Sequence, residues 1–135
     1  GGLAGKTVAL LGLAFKGDTD DMRESPAIPI VEGLTAAGAT VRAYDPAAME
    51  QAKPLLPPIA YCKDPYDAAA GADGLVIATE WNQFRELEFG RLRELLKQPL
   101  VVDLRNLYEP ERVAAAGFRY VSIGRAEARP EGMPA

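Results

Sequence analysis

The chain has 135 residues, 48% hydrophobic and 25% charged, and its 15 basic against 19 acidic side chains leave a formal charge of −4. That length and mix fit one globular domain with a single core, and an acidic balance without a basic stripe argues against general nucleic-acid binding. With no histidine and a single cysteine, Cys62, the chain has no imidazole base, no internal disulfide and no Cys/His zinc site; no metal is expected.

The first β-rich apolar run is Thr7–Leu11, followed by a long polar loop at 12–25. The best-marked helix comes next: Ser25 suits the N-cap, Pro26 the first helical position and Gly38 the C-terminal stop. Ile30, Val31, Leu34 and Ala37 form its expected apolar stripe. A second run at 40–44 leads into the proline-bearing stretch 46–58, read as a short helix and then an exposed loop. After a third run at 59–62, Asp64-Pro65 opens a short helix through Ala70, closed by Gly71. A fourth run at 74–78, a helix at 89–96, a fifth run at 100–102, a helix at 109–116 ended by Gly117, and a sixth run at 119–121 complete the pattern. The segment from Ala126 reads as a flexible or docking end, which gives a domain at 1–125 and a tail at 126–135.

Strands alternating with helices predict a three-layer, Rossmann-like α/β domain with a mostly parallel sheet of five or six strands. Runs such as Val8-Ala9-Leu10-Leu11 lack polar alternation, as strands covered on both faces do. Ligands of such sheets sit beyond the carboxyl ends of strands. The residues to watch are therefore those just after each run: 12–23, Asp45, Lys63-Asp64, 79–84, 103–106 and 122–125.

Two phosphate-loop patterns come close and fail. Gly12 and Gly17 have the spacing of a P-loop, but Asp18 stands where the phosphate-binding Lys belongs. The dinucleotide fingerprint fails at Ala14, and Asp45 lies well beyond the ~20 residues that separate that fingerprint from its ribose-binding acid. What remains is a loop far longer than the usual ~2–6 residues, and long loops at this edge are usually functional.

The run Gly12-Leu-Ala-Phe-Lys16-Gly-Asp-Thr-Asp-Asp-Met-Arg23-Glu-Ser-Pro26 resembles the C-terminal domain signature of the nucleotide-sugar dehydrogenases, the family of UDP-glucose 6-dehydrogenase. Tyr44-Asp45-Pro46, Lys63-Asp64-Pro65-Tyr66, Ala78-Thr79-Glu80-Trp81 with Phe84, Val102-Asp103-Leu104-Arg105-Asn106 and Ser122-Ile123-Gly124-Arg125 fit in the right order. The resemblance spans residues 6–125, and the 79–84 segment favours the UDP-glucose enzyme over its GDP-mannose and N-acetylhexosamine relatives.

The resemblance implies an activity for a longer parent. Family members oxidise the sugar C6 alcohol to a carboxylate with two NAD+ in succession, through a thiohemiacetal and a thioester. An N-terminal domain binds NAD, a central helix mediates dimerisation, and the C-terminal domain holds the UDP part of the substrate. The catalytic cysteine lies ahead of the C-terminal domain, so no catalytic residue is expected in this chain, and the isolated chain is expected to be inactive. The chain's opening Gly1-Gly2, without an initiator Met, also suggests a piece of something longer. Cys62 is read as a small, partly buried residue.

By the same resemblance Phe15, Lys16 and Arg105 contact the UDP-sugar, and Arg23 reaches across the domain cleft to the cofactor NAD. A surface alternative for Arg23 is an ion pair with Asp20 or Glu24, and for Arg105 a charge near Glu109. Asp45, Glu80, Trp81 and Asp103 sit at strand ends where they could line the cleft; Trp81 could stack on a base or belong to the core, and Asp103 could orient Arg105 or cap the turn. The usual residue before the arginine is glycine, and here it is Leu104. The implied partners are UDP-glucose or UDP and the parent's N-terminal and central domains, in a homodimer or larger assembly. No membrane partner is expected, because no apolar run approaches the ~18–20 residues a spanning helix needs. The lone thiol and the absence of a signal-like N-terminus point to the cytoplasm. A domain of a GDP-mannose or UDP-N-acetylmannosamine dehydrogenase, and a stand-alone nucleotide-binding module, are the alternatives.

Overall fold

The computed structural model describes residues 3–14 and 20–130. In chain order its elements are β1 (Thr7–Leu11), α1 (Ala27–Ala36), β2 (Thr40–Tyr44), α2 (Met49–Ala52), β3 (Ala60–Tyr61), α3 (Pro65–Ala69), β4 (Gly74–Ile77), α4 (Asn82–Arg85), α5 (Phe89–Leu95), β5 (Leu100–Asp103), α6 (Pro110–Ala115) and β6 (Arg119–Ser122). The strands form one six-stranded sheet in the order β3-β2-β1-β4-β5-β6, and each neighbouring pair is parallel. Each apolar run read from the sequence is thus a strand, and the sheet is the Rossmann-like one expected.

The central strand shows why a continuous apolar run belongs here. Ala9 and Leu11 join one buried cluster, with Leu75, Ile77, Val101, Phe118 and Tyr120. Leu10 joins the other, with Val31, Val41 and Ala43. Adjacent residues of a strand point to opposite faces, so a strand buried on both sides has no polar positions to alternate. Helices α3, α5 and α6 cover the first face through Ala68, Leu92 and Val113, while α1 and α2 cover the second through Val31 and Ala52. Toward β5 and β6 the second face opens, and Leu100, Val102 and Val121 are only half-buried.

Helix boundaries follow local chemistry with small shifts. Asp64 caps α3 as expected, its side chain accepting from the Asp67 N–H at 2.7 Å, with Pro65 opening the helix. For α1 the cap is displaced: Pro26 takes the N-cap position, and the buried Ser25 hydroxyl accepts from the Ala27 N–H while donating to the Leu13 carbonyl. Ser25 therefore closes the long β1–α1 loop as well as the helix. The apolar face of α1 centres on Ala27 and Val31, with Ile28, Ile30 and Leu34 half-buried; Ala37, expected in the stripe, is exposed. The helix α4 was not legible in the sequence.

Residues 126–135 read in the sequence as a flexible or docking end. Of these, 126–130 are described, and they return along the edge strand: Tyr120 and Ala128 exchange two backbone hydrogen bonds in an antiparallel bridge, at 2.7 and 3.0 Å. Glu127 pairs with Arg119 at 2.8 Å and also with Arg129. Unpaired strand edges invite pairing with another chain, and this return blunts the β6 edge.

Candidate functional site

The strand order reverses between β1 and β4, so the β1–α1 loop and the segment after β4 diverge at the topological switch point. Gly12 fixes their approach. Its φ is +99°, and a Cβ there would lie 2.3 Å from the Thr79 Cβ. The buried Thr79 hydroxyl then donates to the Ala14 carbonyl at 2.9 Å. Glycine is required on both counts, for the positive φ and for the contact.

Asp45, at the end of β2, is fully buried. One carboxylate oxygen accepts from the Leu13 and Ala14 N–H groups at 2.7 and 3.0 Å and from the Trp81 indole at 3.3 Å. The other accepts from the Ala47 and Ala48 N–H groups, both at 2.8 Å. A carboxylate in the place of a ribose-binding acid thus spends its acceptors inside the protein. It ties the β1 loop to the start of α2, and Trp81 packs half-buried against the core rather than standing free in the cleft. The described residues at the switch point therefore do not form an NAD site of the Rossmann kind.

Asp103, at the end of β5, is the matching hub on the other side. It is fully buried; Oδ1 accepts from the Arg105 N–H at 2.9 Å, and Oδ2 accepts from the Leu107 N–H at 2.7 Å and the Tyr120 hydroxyl at 2.6 Å. It therefore both caps the turn and orients the Arg105 backbone. Burial raises the Tyr108 and Tyr120 phenols above their usual value, and the neighbouring Asp103 adds to the shift in both. Arg125 closes the network, donating to the Tyr120 hydroxyl at 2.9 Å and to Ser122 Oγ at 3.1 Å. Asn106, with a φ of +56°, bonds the Ile123 N–H and carbonyl through its amide and joins the loops after β5 and β6.

On this scaffold Arg105 is half-buried beyond β5 and its Nη2 donates to Glu80 Oε1 at 2.8 Å. Its partner is thus Glu80, on the segment after β4, and not Glu109. Arg23 lies on the other side of the switch point. Its side chain is 90% exposed and pairs with Asp21 at 3.0 Å, rather than with Asp20 or Glu24. It borders an open depression lined also by Met22, Ile28, Gln51 and Leu55, against α1 and α2. No contact joins Arg23 and Arg105 among the described residues. Phe15 and Lys16 lie outside the described residues. Leu104, in the usual glycine position, is half-buried and its N–H donates to the Ile77 carbonyl at 2.9 Å.

Cys62 is a buried free thiol, 5% exposed, and burial pushes its ionisation up. A neutral, enclosed thiol is a poor nucleophile. Among the described residues no cluster of three or more Asp, Glu or Cys side chains could hold a metal ion, and no helix is long and apolar enough to cross a membrane. Among the described residues, this edge presents the Arg105 guanidinium beside the Glu80 carboxylate.

Residues 9–110 match the UDP binding domain of the UDP-glucose/GDP-mannose dehydrogenase family. The chain is 55% identical over 127 residues to a UDP-glucose 6-dehydrogenase of Rhizobium meliloti (strain 1021), covering 94% of this chain and 29% of that protein. Among solved structures it is similar to a UDP-glucose dehydrogenase from the hyperthermophilic archaeon Pyrobaculum islandicum, with 39% identity and a TM-score of 0.66 over 76% of this chain and 22% of that one. It is also similar to an NDP-N-acetyl-D-galactosaminuronic acid dehydrogenase from Methanosarcina mazei Go1, with 28% identity and a TM-score of 0.79 over 91% of this chain and 25% of that one. The chain spans less than a third of the length of these relatives.

Proposed function

The chain belongs to the UDP-glucose/GDP-mannose dehydrogenase family through its UDP binding domain, and from that membership we propose that it is the C-terminal, UDP-sugar-holding domain of an NAD-dependent UDP-glucose 6-dehydrogenase. The parent oxidises UDP-glucose to UDP-glucuronate with two NAD+. The observation that carries this reading is the 55% identity, sustained along 127 residues, to a protein of that name. Lower identity, 28%, to the N-acetylgalactosaminuronate enzyme makes a sibling nucleotide-sugar dehydrogenase the second reading, favoured only by its higher TM-score of 0.79.

In this reading Arg105 donates to the UDP-sugar from the carboxyl edge of β5, and Phe15 and Lys16 contact it from the β1 loop. Charge-assisted bonds from Arg and Lys to phosphate are the strong kind. NAD belongs to the parent's other domain, in keeping with the internal use of Asp45 here. Arg23, exposed at the rim, reaches NAD across the domain boundary of the parent, which is a homodimer or larger assembly. The buried free thiol fits a reducing compartment such as the cytoplasm.

With Cys62 buried and the family's catalytic cysteine lying ahead of this domain, the chain is expected to bind and not to turn over. Purified chain mixed with UDP-glucose and NAD+ is expected to produce no NADH while binding UDP more tightly than GDP. NADH production by the chain alone would contradict the domain assignment, and a preference for GDP would move it to the sibling reading.

A further inference from the structure

Glu80 has no role in the reading above, yet both it and Arg105 are held by buried anchors. Thr79, the residue before Glu80, is fully buried and bonded to the Ala14 carbonyl of the β1 loop. Arg105 has its own N–H fixed by the buried Asp103 carboxylate. The two side chains then meet at 2.8 Å, Glu80 44% exposed and Arg105 30% exposed. An isolated surface pair of this kind adds little stability. This pair differs in that the Arg105 N–H and the residue before Glu80 are fixed by separate buried anchors, so the contact holds the Arg105 guanidinium against the segment after β4.

The contact uses one nitrogen, Nη2, and one oxygen, Oε1. Nε and Nη1 of Arg105 and Oε2 of Glu80 have no hydrogen-bond partner among the described residues. The edge therefore offers two cationic donors beside one anionic acceptor. A ligand that matches it carries an anionic oxygen next to a hydrogen-bond donor. A nucleoside diphosphate or its sugar ester, with phosphate oxygens near ribose or sugar hydroxyl donors, meets that description. Glu80 repels the phosphates of either ligand, but a bare diphosphate has no hydroxyl donor to set against that repulsion, whereas the nucleotide does.

We propose that Glu80 is a specificity-determining residue, which positions Arg105 and makes the site favour nucleoside diphosphates over bare diphosphate anions. The inference rests on the UDP-sugar reading of this edge and adds to it the residue that rejects simple anions.

Affinities of the 135-residue chain for UDP and for inorganic pyrophosphate, in the native protein and in Glu80→Gln, Glu80→Ala and Arg105→Ala, test it. The Gln variant keeps the size and one acceptor oxygen while removing the charge. Pyrophosphate binding is expected to tighten about threefold in Glu80→Gln and UDP binding to weaken about threefold, an opposite movement that a loss of packing or of fold does not produce. Glu80→Ala is expected to shift each ligand in the direction that Glu80→Gln does, and further, so that the two again move oppositely; Arg105→Ala is expected to weaken both. Parallel changes for the two ligands in Glu80→Gln, or none, overturn the role of Glu80 while leaving UDP binding intact. If the native chain binds pyrophosphate as well as UDP, the discrimination itself is absent and the proposal fails. If it binds UDP not at all into the millimolar range, the parent reading of this edge fails with it.

Discussion

At the scale of single residues, two buried carboxylates organise the edge. Sequence reasoning placed Asp45 and Asp103 at strand ends but could not tell a lining residue from an internal one, because their partners are backbone amides that carry no sequence signature. Asp45 accepts four backbone N–H groups and an indole. Asp45→Ala leaves those donors buried and unpaired, so urea denaturation is expected to show a loss of about 3 kcal/mol or more. Gly12→Ala meets both a positive φ and a Cβ 2.3 Å from Thr79; it too is expected to cost at least about 3 kcal/mol, since backbone, not a flexible tip, must move. The pairing of Arg105 with Glu80 was equally illegible, as the two are 25 residues apart and meet only when β4 and β5 align.

Titration adds a second residue-level expectation. Burial raises the Tyr108 and Tyr120 phenols above the ordinary value of 10.0. Above about pH 10 the unfolded chain then releases protons that the native state retains. The unfolded state binds fewer protons there, so stability is full below that pH and falls as pH rises. Denaturant midpoints measured from pH 8 to 11 are expected to be flat at first and then drop, less steeply in Tyr120→Phe. A midpoint that holds through pH 11 contradicts the buried-phenol account. Cys62, enclosed and with its ionisation pushed up, is expected to react with a thiol reagent at pH 8 only on unfolding.

At the scale of elements, the strands were legible because each is a short apolar run between turn-forming residues, and parallel pairing followed from the intervening helices. Helix α4 was not, for four residues at Asn82–Arg85 span barely one turn and give no periodicity. The region after Ala126 shows a different limit. Two prolines and a glycine there read as a flexible or docking end, and Ala128 meets the β6 edge through backbone bonds that any residue but proline can make. A chain ending at 125 is expected to lose about 1 kcal/mol of stability and to self-associate through the bared β6 edge, read by sedimentation velocity. A truncated chain that stays monomeric at high concentration shows that the return strand does not guard the edge.

At the scale of the whole molecule, the sheet brings the loops after β1, β4, β5 and β6 to one edge, where inward-facing anchors and outward-facing charges are kept apart. Asp45, Thr79, Asp103 and Tyr120 face inward and hold the loops; Arg105, Glu80 and Arg23 face outward. The family resemblance names residues in these loops, and the fold separates the side chains that face inward from those that face outward.

The central claim is that this edge holds UDP. A backbone-amide NMR titration of the chain with UDP, repeated with Lys16→Ala and Arg105→Ala, tests it most directly. The account predicts shifts clustered at 12–23 and 103–106, and a loss of roughly 1.5–3 kcal/mol of binding in each variant from the missing phosphate contact. Binding that neither substitution weakens, or shifts clustered away from the carboxyl edge, would contradict it.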